Sequence, residues 1–112
     1  MTPVLETIVG NRSAAQVLLF LESYGSGYAS GIASTFEVPV MAVQRQLKRL
    51  EAGGVLVSRM VGTSRVFEFN ERNPTVLALR SLLREELNVL PQQMTKRYFR
   101  QRQRPRRSGK AL

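Results

Sequence analysis

The stretch 39–54 restricts the chain more than any other. Val40, Val43, Leu47 and Leu50 recur at i, i+3, i+7 and i+10, which places them on one face of an α-helix. Pro39 suits the first turn of that helix, and Gly53-Gly54 ends it near Ala52. The period then changes. Val55-Leu56-Val57 opens a strand reaching about Met60, and Gly62-Thr63-Ser64 turns the chain. Residues 65–70 alternate, with Val66 and Glu68 on one side and Phe67 and Phe69, read as core, on the other.

Helices flank this unit. Residues 3–9 form a short amphipathic turn carrying Leu5, Ile8 and Val9, interrupted by Gly10-Asn11. Ser13 and Gln16 have capping-box spacing, which predicts a helix over 14–24 with Val17, Leu18, Leu21 and Tyr24 inward and Gly25 as its stop. Gly25-Ser26-Gly27 reads as a turn. A short helix over 28–36 comes next, with Ala29, Ile32, Ala33 and Phe36 inward and weakened by Gly31. Asn73-Pro74 caps a last helix over about 75–90. Its stripe is Val76, Leu79, Leu83, Leu87 and Leu90, widened by Leu77, Leu82 and Val89. A helix apolar over so much of its circumference is either central or packs against a second subunit.

Composition removes several chemistries. The 112 residues contain no Cys, no His and no Asp; all eight acids are Glu. Disulfides, thiolate and imidazole metal sites, and Cys–His or Ser–His–Asp catalysis are excluded. Neither an enzyme nor a bound cofactor is expected. Gly25-Ser26-Gly27 lacks the G-K-[ST] of a phosphate loop. Glu85-Glu86 is a solvated pair rather than an acid–base couple. No apolar run approaches the roughly 18–20 residues of a membrane span, and the first ten residues do not read as a secretory signal, so a cytoplasmic protein without a membrane partner is expected.

Charge is uneven. Of 17 Lys+Arg, eight lie from Met94 onward with no acid among them, leaving a nearly neutral remainder within a net +9. This divides the chain into a body, 1–93, and a basic tail, 94–112, partly disordered or extended as a charged helix from Thr95. Such a tail is either a solubility segment or a polyanion-binding arm.

The run Ala33-Ser34-Thr35-Phe36-Glu37-Val38-Pro39, continued by Val43-Gln44-Arg45-Gln46-Leu47-Lys48-Arg49-Leu50-Glu51-Ala52-Gly53-Gly54-Val55-Leu56, resembles ArsR-type regulators, with MarR-type regulators second. Gly62 and Arg65-Val66-Phe67 resemble the wing that comes next in that family. The resemblance spans about 13–90. It implies a mainly α fold with a small β-hairpin: a winged helix-turn-helix with a three-helix core, a wing and a C-terminal dimerisation helix. Glu37 stands where a turn glycine is usual, which predicts a turn without the left-handed residue. Gln46 replaces the family's common His, and the metal-sensing residues have no counterpart.

With Val43, Leu47 and Leu50 inward, a 100° step per residue turns Met41, Arg45 and Lys48 outward, flanked by Ala42, Gln44 and Arg49. The face is either a solvated cationic surface or a recognition surface. In the second reading Arg45 grips guanine and Gln44 adenine, Met41 and Ala42 touch thymine methyls, and Lys48 and Arg49 meet phosphates. The resemblance places Arg59, Thr63, Ser64 and Arg65 on the wing, along the backbone or minor groove. Arg102, Arg104, Arg106 and Arg107 have the composition of a loose minor-groove arm. The function expected is a homodimeric, sequence-specific regulator of double-stranded DNA, a repressor. Dimer contacts are expected from Leu5 and Ile8 with Val76, Leu79, Leu83, Leu87 and Leu90. The alternatives are an architectural nucleic-acid-binding protein and an antitoxin-like interaction module. No residue points to a small-molecule effector.

Overall fold

The computed structural model describes residues 2–99. Six helices and one hairpin run in the order α1 (Pro3–Val9), α2 (Arg12–Tyr24), α3 (Ala29–Phe36), α4 (Val40–Ala52), β1 (Leu56–Val61), β2 (Ser64–Phe69), α5 (Pro74–Val89) and α6 (Gln92–Tyr98). The centre is α2, buried without interruption from Ala14 to Glu22. A helix covered on all sides must be packed by several neighbours. Here α1, α3, α4, β2 and α5 all touch it. Its start corrects the capping-box expectation. Asn11, not Ser13, is the cap: its Oδ1 accepts from the Ala14 amide at 2.7 Å, and the helix begins at Arg12. Among the described residues no single helix is long and apolar enough to cross a membrane.

The link from α3 to α4 corrects a second expectation. Glu37 is left-handed (φ 58°, ψ 47°) although it carries a Cβ. Its amide donates to Ser34 O at 3.3 Å, and the Val38 amide donates to Ala33 O at 3.0 Å. This paired closure is a Schellman motif, which demands a left-handed residue at that point whatever its side chain. Pro39 then caps α4 rather than entering it. Val43, Leu47 and Leu50 are buried as expected. Val40 is not: it is 38% exposed, and Gln46 is buried instead, accepting from Arg49 Nε at 3.0 Å.

The hairpin is antiparallel, in the register Leu56↔Phe69, Ser58↔Phe67 and Val61↔Ser64. Its two-residue turn, Gly62-Thr63, needs positive φ at the first position only, and Gly62 supplies it (φ 63°). Phe67 and Phe69 anchor the inner face in the core. Gly27, expected only as part of a turn, also pairs with Phe67 through two backbone bonds of 3.0 and 2.8 Å. A Cβ on Gly27 would lie 2.7 Å from the Phe20 ring, so the residue is glycine for space. These contacts hold the hairpin against the start of α3.

Asn73 caps α5 as expected, accepting from the Thr75 and Val76 amides at 2.9 and 3.3 Å. The described chain continues past the boundary expected after residue 93. Beyond Pro91 the chain forms α6, and Phe99 is only 3% exposed. Tyr98 stacks on Phe36 (centroids 5.2 Å) and Phe99 meets the same ring edge-on at 5.8 Å. The Tyr24 hydroxyl donates to Tyr98 O at 3.2 Å. Two aromatic side chains in a basic context are therefore core, and the described body extends through Phe99. The helix ends at Tyr98, with Phe99 as its cap.

Candidate nucleic-acid interface

Helix α4 presents its outer face beside the hairpin. Met41 (66% exposed), Gln44, Arg45 and Lys48 lie open to solvent, and Ala42 is half-buried. Between α4 and the hairpin runs a cleft of about 430 Å³. Gln44 and Lys48 line one wall, Thr63, Ser64 and Arg65 the other, and Tyr28, Ala29 and Ser30 at the start of α3 close one end. Val40 owes its exposure to this cleft, because no element covers the α4 face that lines it.

The predicted residues divide by position. Gln44, Lys48, Thr63, Ser64 and Arg65 come together around the cleft. Met41 and Arg45 sit on the same helix but outside the cleft lining, projecting from its crest. Arg49 is turned away: besides Gln46, it donates to Val9 O of α1 at 3.4 Å, so its guanidinium braces two helices. Arg59 lies on the opposite face of the hairpin, paired with Glu68 at 3.3 Å. Arg102, Arg104, Arg106 and Arg107 lie outside the described residues.

Electrostatics sharpen the division. Among the described residues, Arg45 and Lys48 have no carboxylate within 4.0 Å, whereas Arg12, Arg59, Arg80, Arg84 and Arg97 each do. Arg65 Nη1 donates to Ser58 Oγ at 3.1 Å, and Ser58 in turn donates to Glu51 at 2.6 Å. That chain of bonds steadies Arg65 at the cleft without neutralising it. Tyr28 and Ser30 were not singled out from the sequence. A signal was present: Gly31 comes three residues after Tyr28, and the Tyr28 ring lies on it so closely that a Cβ there would be 3.0 Å away.

The dimer residues also divide. Leu5, Val76, Leu83 and Leu90 are buried inside the chain, and Leu79 and Leu87 are half-buried against its core. The first four present no free surface to a second copy, because α2 and its neighbours already cover them. Ile8 is exposed, together with Val4 on α1 and Leu77, Leu82 and Val89 on α5.

The sequence matches no protein-family model and no curated protein. Solved structures do match. The antimony-specific transcriptional repressor AntR superposes with a TM-score of 0.57 at 24% identity, over 78% of this chain and 79% of its own. The homodimeric winged helix-turn-helix DNA-binding domain of Mb0332 from Mycobacterium bovis, a possible ArsR-family regulator, gives 0.55 at 21%, over 75% and 76%. The YusO protein of Bacillus subtilis gives 0.52 at 22%, over 77% and 67%. The fold is a winged helix-turn-helix. In its terms α3 and α4 are the helix-turn-helix and β1–β2 is the wing, the order that residues 33–56 implied. The isolated bridge from Gly27 to Phe67 ties the wing to the segment before α3.

Proposed function

We propose that this chain is a transcriptional regulator that binds double-stranded DNA sequence-specifically, as a homodimer, and acts as a repressor. The observation that carries the reading is the outer face of α4. Arg45 and Lys48 are cationic, exposed and without a carboxylate partner among the described residues, beside a cleft whose far wall carries Arg65. A recognition helix reads base edges from its N-terminal half. Gln44 and Arg45 stand there, with the amide and guanidinium that pair adenine and guanine bidentately. Lys48, Ser64 and Arg65, facing one another across the cleft, suit a phosphate strand. The repressor function of AntR and the homodimer of Mb0332 support the same reading. The exposed Val4, Ile8, Leu82 and Val89 of α1 and α5 supply the apolar surface for self-association. No catalytic role is assigned to any residue.

Fluorescence anisotropy at about physiological salt tests it, comparing the gene's own upstream duplex with a scrambled one. A preference of about 10³-fold or more is expected. Equal affinity for both duplexes would mean an architectural binder. Binding to neither would reject the DNA reading and favour a protein partner.

A further inference from the structure

Arg65 is held by a residue that does not itself line the cleft. In the hairpin register Leu56, Ser58 and Met60 lie opposite Phe69, Phe67 and Arg65, so these side chains share one face. Leu56, Phe67 and Phe69 bury that face in the core. Arg65 stands at its far end, where the face leaves the core and meets the cleft. Ser58 is its diagonal neighbour across the strands, within reach of a long side chain. Arg65 Nη1 donates to Ser58 Oγ at 3.1 Å, and Ser58 Oγ donates to Glu51 Oε2 at 2.6 Å. Glu51 belongs to the last turn of α4. It follows Gln44 and Lys48 at i+7 and i+3, on the helix row that lines the opposite wall.

Chemistry fixes the order of these three groups. A guanidinium only donates, a carboxylate only accepts, and a hydroxyl gives one proton and receives on its lone pairs. Ser58 can therefore satisfy both neighbours at once. Among the described residues Arg65 has no carboxylate within 4.0 Å, so the hydroxyl stands in place of a direct ion pair that would draw the guanidinium onto α4. Glu51 in turn is bonded to Ser58 and leaves Lys48 without a carboxylate partner. We propose that Ser58 and Glu51 are positioning residues for DNA binding: the relay Glu51–Ser58–Arg65 ties the wing to α4 and presents the Arg65 guanidinium to the duplex backbone in a pre-set position. The proposal rests on the DNA reading above. It accounts for an acid on a helix face that meets a polyanion. A bare carboxylate there only repels phosphates, whereas this one orders a cation that attracts them. A long side chain loses rotamer freedom on binding, and one already held in place loses less. Backbone bonds from Gly27 brace β2 while the relay braces β1, so both strands of the hairpin are fixed.

The probe is a duplex selected from a random pool by the full chain, read by fluorescence anisotropy. Ser58 is half-buried and Glu51 and Arg65 are exposed, so substitutions here leave the core in place, which circular dichroism checks. Ser58→Ala should weaken binding about threefold to tenfold, the range for ordering one long side chain. Ser58→Thr keeps the hydroxyl on a residue that strands favour and should bind within about twofold of the parent. In an Arg65→Ala background, Ser58→Ala should have no further effect. Parent-like binding by Ser58→Ala, or an equal loss in the Arg65→Ala background, overturns the proposal. Glu51 supplies a second test. Glu51→Gln and Glu51→Ala remove the same charge, but only the first keeps an acceptor for Ser58. Charge alone makes both bind more tightly and equally; the relay makes Glu51→Ala the weaker of the two by about threefold to tenfold. Equal affinities for the two Glu51 variants overturn it. A measurement without DNA separates this proposal from the reading it rests on. Nitrogen relaxation of the arginine side chains in the free full chain should show Arg65 Nε more ordered than that of Arg45, whose side chain has no bond among the described residues, and Ser58→Ala should remove the difference. An Arg65 as mobile as Arg45 rejects the relay, whatever the chain binds. An ordered Arg65 in a chain that binds no duplex rejects the DNA reading, and with it the role of the relay in binding.

Discussion

Glu37 shows how one residue can carry a cost that the fold imposes. Its left-handed backbone is required by the two hydrogen bonds that close α3, and a side chain there is disfavoured by about 1–2 kcal/mol. Glu37→Gly should raise stability by about 0.5–1 kcal/mol in urea titration, the gain being reduced by the greater freedom of glycine in the unfolded chain. Breaking the pair with Arg97 subtracts little, because both side chains are largely exposed. The proposed recognition face of α4 makes a different prediction for each cation. Arg45→Ala should weaken binding to a selected duplex by about 1–3 kcal/mol and relax the preference at one base position. Lys48→Ala should weaken all duplexes alike and lower the salt slope by about 1. Competition anisotropy at several salt concentrations separates the two. Gln44, Arg45 and Lys48 were legible because helical period and three apolar anchors suffice to say which way a residue points. Arg49 was not, because Gln46 and the end of α1 capture its guanidinium. The i+3 spacing of Gln46 and Arg49 was visible, but the partner forty residues away was not.

At the scale of elements, the sheet and the helices were read from period, and the errors fell at joints. Ser13 matched a capping pattern, yet Asn11 won because its side-chain Oδ1 accepts from the Ala14 amide three residues on. Helix α5 was read as an apolar stripe, but it also carries an ion cluster that fastens it to α2. The Glu22 carboxylate, 3% exposed, receives Arg80 at 2.8 Å and Arg84 at 3.2 Å, and Arg80 continues to Glu71 at 2.6 Å and lies over the Phe69 ring. A buried carboxylate on a central helix requires such partners. The hydrogen bond to Glu22 holds the Arg80 guanidinium above its ordinary range. A raised pKa of this kind contributes stability at every pH below the ordinary arginine value and loses it only above the folded one. The titration of this group itself should therefore contribute no change in stability around neutral pH. Glu22→Gln should destabilise the protein by about 1–3 kcal/mol in thermal or urea melts, since two guanidinium groups lose their common acceptor charge while Glu71 still answers one of them. A change below about 0.5 kcal/mol would show that the cluster is not a fastening between α2 and α5.

For the whole molecule, the apolar residues that remain outside are the surface on which the proposed dimer would form. If α1 and α5 form the dimer face, light scattering at micromolar concentration should give about twice the 12.6 kDa chain mass. Ile8→Glu together with Val89→Glu should return it to one chain mass with helical content unchanged, since both side chains are exposed in the single chain. A dimer that survives both changes would place the interface elsewhere. The sequence by itself determined the order of elements, the inward faces of α3 and α4, the hairpin and the cationic outer face of α4. Each of these is written in short-range periodicity and in the backbone limits of proline and glycine. Only the tertiary structure decided which apolar residues are core and which are free. Leu5, Val76 and Leu83 share the stripe pattern of Ile8 and Val89, but the first three meet the body and the other two do not. It also decided that Tyr98 and Phe99 belong to the body, because their partners, Tyr24 and Phe36, lie more than sixty residues earlier, beyond the reach of any local pattern.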